Sequence, residues 1–250
     1  MKPPPLSRRA LIASGIESAL TLAVVWRSLC AGAIARPLKA EARGWVKAIE
    51  LLSRDLREGA IAPSDWQDGL AEIVGGVRLE EVLAAVDFEA VASRTEFADL
   101  GVATSNLVLP DAAGAPRTVF TKLFAVAKGR AIIPHGHVGM ASGHLVAKGR
   151  FRLRQYEALE KNDDAWLIRQ TVDRVEPAGG VSTISDDTDN VHWLIAEEDS
   201  YTVDFIMAPA LRGDRWDVQN LDIEAATIDG GLIRTPRIDV ETALAKYGRI

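Results

Sequence analysis

Cysteine is nearly absent from this chain of 250 residues: Cys30 is the only one. That excludes an internal disulfide and a thiolate-rich metal cluster, and it leaves the redox compartment unread from bridges. There is no excess of positive charge: 29 Lys/Arg stand against 35 Asp/Glu, a net of -6, so nothing draws the chain to nucleic acid in general and no such partner is expected. No long apolar run goes unbroken. Ala10 to Trp26 is largely apolar, but Glu17 interrupts it and Arg27 follows. A charge at mid-membrane costs about 2.5–3.5 kcal/mol on insertion scales, so a transmembrane helix is not expected there. A glycine-rich phosphate loop ending in Lys-Ser/Thr is missing, and so is the G-x-S-x-G elbow of many serine hydrolases. Histidine is rare as well, but its four copies are concentrated. Three fall within Pro134-His135-Gly136-His137-Val138-Gly139-Met140-Ala141-Ser142-Gly143-His144, and the fourth is His192.

Charge divides the chain unevenly. Residues 1–50 carry eight Lys/Arg and three acids, a net of +5, which leaves -11 for the remainder. A basic head on an acidic body is a targeting pattern. Ser7-Arg8-Arg9-Ala10-Leu11-Ile12 resembles a twin-arginine export signal, and Ala33-Ile34-Ala35 has the form of a cleavage site. Residues 1–35 are therefore expected to be an export signal or a retained N-terminal helix. The first places the protein in the periplasm, with only transient membrane contact; the second leaves it in the cytoplasm.

Residues 36–105 read as a helical extension. Trp45, Ile49, Leu52 and Leu56 recur at helical spacing over 39–58, before Gly59 and Pro63. Ser64 with Gln67 three residues on has the form of a capping box, and Trp66, Leu70, Ile73, Val74 and Val77 form the next stripe. A third helix is expected at Leu79 to Val86. From about residue 106 to 250 the texture is that of an all-β barrel or sandwich with a short C-terminal helix between Ile238 and Tyr247. Strands are expected at Thr118–Val126, Arg130–Pro134, Ala141–Lys148, Arg150–Tyr156, Trp166–Val172, Ser182–Ile184, His192–Ala196 and Tyr201–Met207. The last of these alternates poorly, as a strand buried on both sides does.

Residues two apart on a strand share a face, so His135 and His137 can point together into a barrel and grip one ion. His192, on a later strand, completes a three-histidine face with coordination positions left open, the mark of a catalytic rather than a structural metal site. Pro134 suits a strand edge or start, and Gly136 and Gly139 suit tight turns. His144 has three readings: a fourth ligand, a hydrogen-bonding neighbour or general base, or a core histidine. Ser142, near two histidines, keeps a Ser-His-acid triad open by composition, although His-x-His would then go unexplained. Asp186, Asp187 and Asp189 form an acidic turn, metal-binding or solvated. Tyr156 and Tyr201 are candidates to line the cavity and donate a hydrogen bond to bound oxygen. Arg152, Arg154 and Arg169 are candidates to grip a substrate carboxylate, the first two set by alternation on an outward face.

The run from Ile133-Pro134-His135-Gly136-His137 to Gly149 resembles the first motif of the cupin superfamily. Counting back from Gly149 puts Ser142 where that motif has its acidic ligand. The loss of the carboxylate resembles the thiol dioxygenases of that superfamily, which hold iron with three histidines. The second motif is matched mainly in spacing: Asp187 and Asp189 stand at the places of its Pro and Gly, His192 at its His, and Ala196 where an Asn is usual. The resemblance covers about Thr118 to Met207. It implies a mainly β fold, a cupin-type double-stranded β-helix or jelly-roll barrel, with the helices as an N-terminal extension. It implies one divalent transition metal on His135, His137 and His192, iron(II) preferred, with zinc, nickel, copper or manganese as alternatives. The implied reaction is oxidation of a small molecule, perhaps a thiol, by dioxygen. A metal hydrolase or isomerase and a non-catalytic ligand-binding or sensor cupin are the alternatives, and pairing of two copies through sheet edges is a further expectation.

Overall fold

A computed structural model describes residues 42–110, 117–213, 215–225 and 227–250. The export expectation placed on residues 1–35 lies outside them, as does Cys30. The described chain is mainly β. Four helices come first: α1 (Ala42–Arg57), α2 (Pro63–Gly75), α3 (Leu79–Ala85) and α4 (Phe88–Ala92). The strands follow: β1 (Ala103–Leu107), β2 (Phe120–Val126), β3 (Ala131–Val138), β4 (Ala141–Lys148), β5 (Arg150–Lys161), β6 (Ala165–Pro177), β7 (Val181–Ser185), β8 (Val191–Ala196), β9 (Ser200–Met207), β10 (Asp217–Asn220), β11 (Thr227–Asp229) and β12 (Leu232–Pro236). Helix α5 (Val240–Tyr247) closes the chain. The boundary expected near residue 105 falls inside β1.

The strands form two antiparallel sheets, ordered β1-β2-β9-β4-β7 and β10-β3-β8-β5-β6-β12-β11. Within them, β2-β9-β4-β7 faces β3-β8-β5-β6. That interleaving, in which the chain passes between the sheets at every step from β2 to β9 except the β5–β6 hairpin, is the double-sheet jelly roll of cupin type. The eight strands expected from sequence are all present. Three are several residues longer than expected: β3 runs through both histidines to Val138, and β5 with β6 makes an extended hairpin. β1, β10, β11, β12 and α4 were not expected.

The helices cover the outer face of the first sheet. Trp45, Ile49 and Leu56 of α1 and Trp66, Leu70 and Val74 of α2 share one buried cluster with Leu123 of β2, Leu145 of β4 and Val203, Phe205 and Met207 of β9. The opposite faces of these strands look into the barrel, where Val126, Val146, Phe151, Leu153 and Leu194 meet. Helix α2 begins one residue before the expected cap. Pro63 opens it, because its fixed φ suits the first helical position, and Asp65 accepts from the Ala62 amide at 3.0 Å. Gln67, expected in a capping box, is buried instead and accepts hydrogen bonds from Ser185 and Thr188.

Two features of β3 shape the site. Pro134 is not at a strand edge or start; it lies inside a strand flanked by β10 and β8, at a break in register between Ile132 and His135. A bulge tolerates the missing amide proton. Gly136 makes no turn. It faces away from the barrel, where a Cβ would overlap the Trp166 indole, so glycine lets β6 close over the outer side of the histidine strand. Gly139, by contrast, does turn the chain, at φ +63. Replacing Gly136 by Ala is predicted to lower stability by about 1–3 kcal/mol, the usual cost of overpacking. Denaturant unfolding checks this, and a wild-type midpoint in the variant contradicts the packing argument.

Candidate metal centre

His135 and His192 are direct cross-strand partners in the β3–β8 pair. His137 lies two residues further along β3 and so on the same face. The three side chains converge inside the barrel. The Nε2 of His135 lies 3.1 Å from that of His137 and 2.9 Å from that of His192. One ligating nitrogen from each lies within 4.8 Å of the others. His137 and His192 are buried, and His135 keeps partial exposure.

The protonation states follow from the contacts. His135 Nδ1 donates to the Ile133 carbonyl at 2.8 Å, which leaves a lone pair on its Nε2. That single lone pair has two nitrogen neighbours. One proton can satisfy only one of those contacts, whereas a cation at the common point satisfies all three rings. Burial opposes protonation: it pushes His135 down to about 4 and His137 and His192 well below the usual imidazole value, and charge on neighbouring rings pushes the same way. Nitrogens about 2.1 Å from one ion stand about 3.0 Å apart at right-angle positions and about 3.4 Å apart at tetrahedral ones. The two separations from His135 match the first, and the three nitrogens together form a group that could hold a divalent ion. The Nδ1 atoms of His137 and His192 are buried without a hydrogen-bond partner. The backbone steadies these rings instead, with the His137 amide donating to the Asn190 carbonyl at 3.0 Å.

The β7–β8 turn before His192 bears out the spacing argument at one residue. Asp189, at the place of the motif's glycine, has φ 49, a left-handed conformation that Asp tolerates better than most side chains. The acidic turn is solvent-facing, with Asp187 exposed, and is also pinned. Asp186 accepts from the Gly139 amide and pairs with Lys161 at 3.0 Å, and Asp187 accepts from the Ser64 amide at 3.2 Å.

His144 belongs to the opposite sheet. Its ring centre lies 4.7 Å from that of His192. Its Nδ1 donates to Asp204 Oδ2 at 2.7 Å, and its Nε2 meets the Ser142 hydroxyl at 3.3 Å. Asp204 on β9 is wholly buried, and its other oxygen has no hydrogen-bond partner. Sequence reading missed Asp204; the only signal was the poor alternation of Tyr201–Met207. Ser142, His144 and Asp204 thus stand in the order of a nucleophilic triad. Ser142, however, lies in a strand paired on both sides, with β7 and β9, and this leaves no free amide beside it to stabilise an oxyanion.

The structure does not bring the two expected tyrosines to the histidines. Tyr156 is one residue beyond Gln155, the cross-strand partner of His192, and so faces outward; it packs with Trp166, Ile168, Val191 and Leu221. Tyr201 has the parity of Val203 and packs against Phe88 and Phe97 on the helical side. Arg152 pairs with Asp173, Arg154 covers the outer Trp193 ring at 4.8 Å, and Arg169 is exposed. None of the three lines the barrel.

No family model matches the sequence, and no curated protein does. Among solved structures, KdgF from Halomonas sp. aligns over 46% of this chain and 86% of its own at 15% identity and a TM-score of 0.33. A conserved protein of unknown function from Streptococcus pyogenes, SPY1581, aligns over 47% and 82% at 11% identity and a TM-score of 0.32. Likenesses this distant say nothing about chemistry here; the strand order and the histidines do.

The three rings give the fold a defined acid sensitivity. An unfolded histidine titrates near 6.5, and in the fold these stay neutral below that. As pH falls from about 6.5 towards 4, the unfolded chain gains protons that the native state refuses, so stability is lost across that window and regained as pH rises. His135 alone contributes about 3 kcal/mol. Urea unfolding of metal-free protein between pH 7 and 4 is predicted to show this fall. A flat profile contradicts the burial of three neutral imidazoles.

Proposed function

We propose that this protein is a mononuclear metal enzyme of the cupin type that uses dioxygen to oxidise a small molecule, with a thiol as the leading substrate class. The supporting observation is the convergence of three neutral imidazole nitrogens, two of them on buried rings, in a group that includes no carboxylate among the described residues. Histidines 135, 137 and 192 would hold the ion; imidazole suits iron, zinc, copper and nickel alike, and iron(II) is preferred on the resemblance to the three-histidine thiol dioxygenases. Bound there, the ion would supply open coordination positions and redox capacity for dioxygen chemistry.

The remaining work belongs to the chain. The barrel's apolar inner cluster limits water at the site, which stays partly open on the His135 side. His144 Nε2 takes a proton from the substrate and later returns it. Asp204 fixes the tautomer of His144 and stabilises the imidazolium that forms, as a buried carboxylate does for a catalytic histidine elsewhere. The same pair favours a second reading, a non-redox hydrolase or isomerase, because a histidine held by a carboxylate serves any reaction that begins with proton abstraction.

Oxygen consumption by iron-loaded protein with a panel of small thiols tests the first reading. Uptake is predicted in wild type and a fall of about 10²–10⁴-fold in His144→Gln and Asp204→Asn, with iron content unchanged. Ester or lactone turnover by zinc-loaded protein without oxygen uptake by the iron form supports the second reading and overturns the first. We also place the protein in the periplasm, on Arg8 and Arg9 alone. Loss of export when both become Lys supports that placement, and cytoplasmic retention of the wild type refutes it.

A further inference from the structure

The inner face of the first sheet carries one cation that nothing so far employs. Lys122 lies on β2 directly opposite Asp204 on β9. Its parity fixes its direction. Leu123 belongs to the helical cluster and Phe124 to the inner one, so Lys122 shares the inner face with Phe124 and Asp204. It is half-buried. No described residue hydrogen-bonds or ion-pairs with it, although the Asp204 charge reaches it. Asp204 is already held by His144, and its free oxygen draws no bond from the lysine.

A lysine half out of water without a partner is a standing cost: burial lowers its affinity for the proton. β2 also lies toward one margin of its sheet, with only β1 beyond it. On β1 the inward-parity neighbours Thr104 and Asn106, cross-strand to Phe124 and Lys122, are exposed. The inner face therefore opens to solvent beside Lys122, and His135, the one histidine of the cluster with partial exposure, lies on β3 near the corresponding margin of the facing sheet.

We propose that Lys122 is the anchor for an anionic group, a carboxylate, on the substrate. The carboxylate end of the molecule rests on the ammonium at the open margin, and the reacting end extends inward past Asp204 and His144 towards the three histidines. Lys122 touches the substrate but not the reacting atoms, so it determines specificity. This assignment takes up the role that Arg152, Arg154 and Arg169 do not fill. It rests on the metal-enzyme reading for what happens at the far end of the molecule, but not for the anion contact.

Propionate and its uncharged isostere propionamide are the probes, titrated by NMR into metal-free protein and into zinc-loaded protein, in wild type, Lys122→Met and Lys122→Arg. Wild type is predicted to bind propionate at least tenfold more tightly than Lys122→Met does, the scale of a charge-assisted hydrogen bond. Lys122→Arg should retain most of the affinity, and propionamide should not distinguish the three. Equal propionate affinity in wild type and Lys122→Met, with both folded, overturns the assignment. The metal-free arm separates this from the metal reading: a lysine effect there with no zinc uptake leaves the anchor standing and removes the metal, whereas zinc uptake without a lysine effect does the reverse.

Discussion

Three imidazole nitrogens crowd together inside the barrel, two of the rings buried and the third partly so, and the rest of the site is arranged around that constraint. His135 has committed its Nδ1 proton to the Ile133 carbonyl, so its Nε2 presents a lone pair to two other rings at about hydrogen-bond distance. Burial keeps all three rings neutral. Metal-free, one His135 lone pair serves two neighbouring nitrogens and two buried Nδ1 atoms have no hydrogen-bond partner, a cost the fold must offset elsewhere. A divalent ion removes the conflict at the centre. The jelly roll can bear such a site because β3 and β8 lie inside the second sheet, each paired on both sides, with their outward faces covered by Trp166 and by the Trp193–Tyr247 contact.

The two sheets divide the chemistry. The second sheet contributes the three histidines that could hold an ion. On the proposed reading the first would contribute groups that move or balance charge: His144 on β4, Asp204 on β9 and Lys122 on β2, in neighbouring strands. The helices act indirectly. Gln67 of α2 holds Ser185 and Thr188, and the backbone of Ser64 holds Asp187, so the helical layer fixes the turn that delivers His192. A helical extension that merely capped the barrel would not reach that turn.

Much of this was legible in the sequence, and the failures share a physical cause. Helical periodicity found α1, α2, α3 and α5, because each has an apolar stripe facing a core. Strand runs and the cupin-like spacing found eight strands and the three-histidine cluster. β1 and β10–β12 escaped because they are short and their letters, such as Asp217-Val218-Gln219-Asn220, lack apolar alternation. The residue-level errors concern parity. Tyr156 sits one step from the inward Gln155, and Tyr201 shares the face of Val203 and Phe205; aromatic character said nothing about which side of the sheet either would occupy. Asp204 and Lys122 were passed over because a polar residue inside a strand ordinarily marks the solvent face, and a functional barrel inverts that rule. Pro134 was read as ending a strand because a bulge cannot be seen without its partner strand.

The central claim is that His135, His137 and His192 hold one ion between them. Elemental analysis of untagged protein, wild type beside His137→Ala, tests it most directly. The account predicts about one transition-metal ion per chain in the wild type and a large loss in the variant, with the fold retained by circular dichroism. Equal metal content in the two proteins, or none in a wild type given iron and zinc during expression, would contradict it.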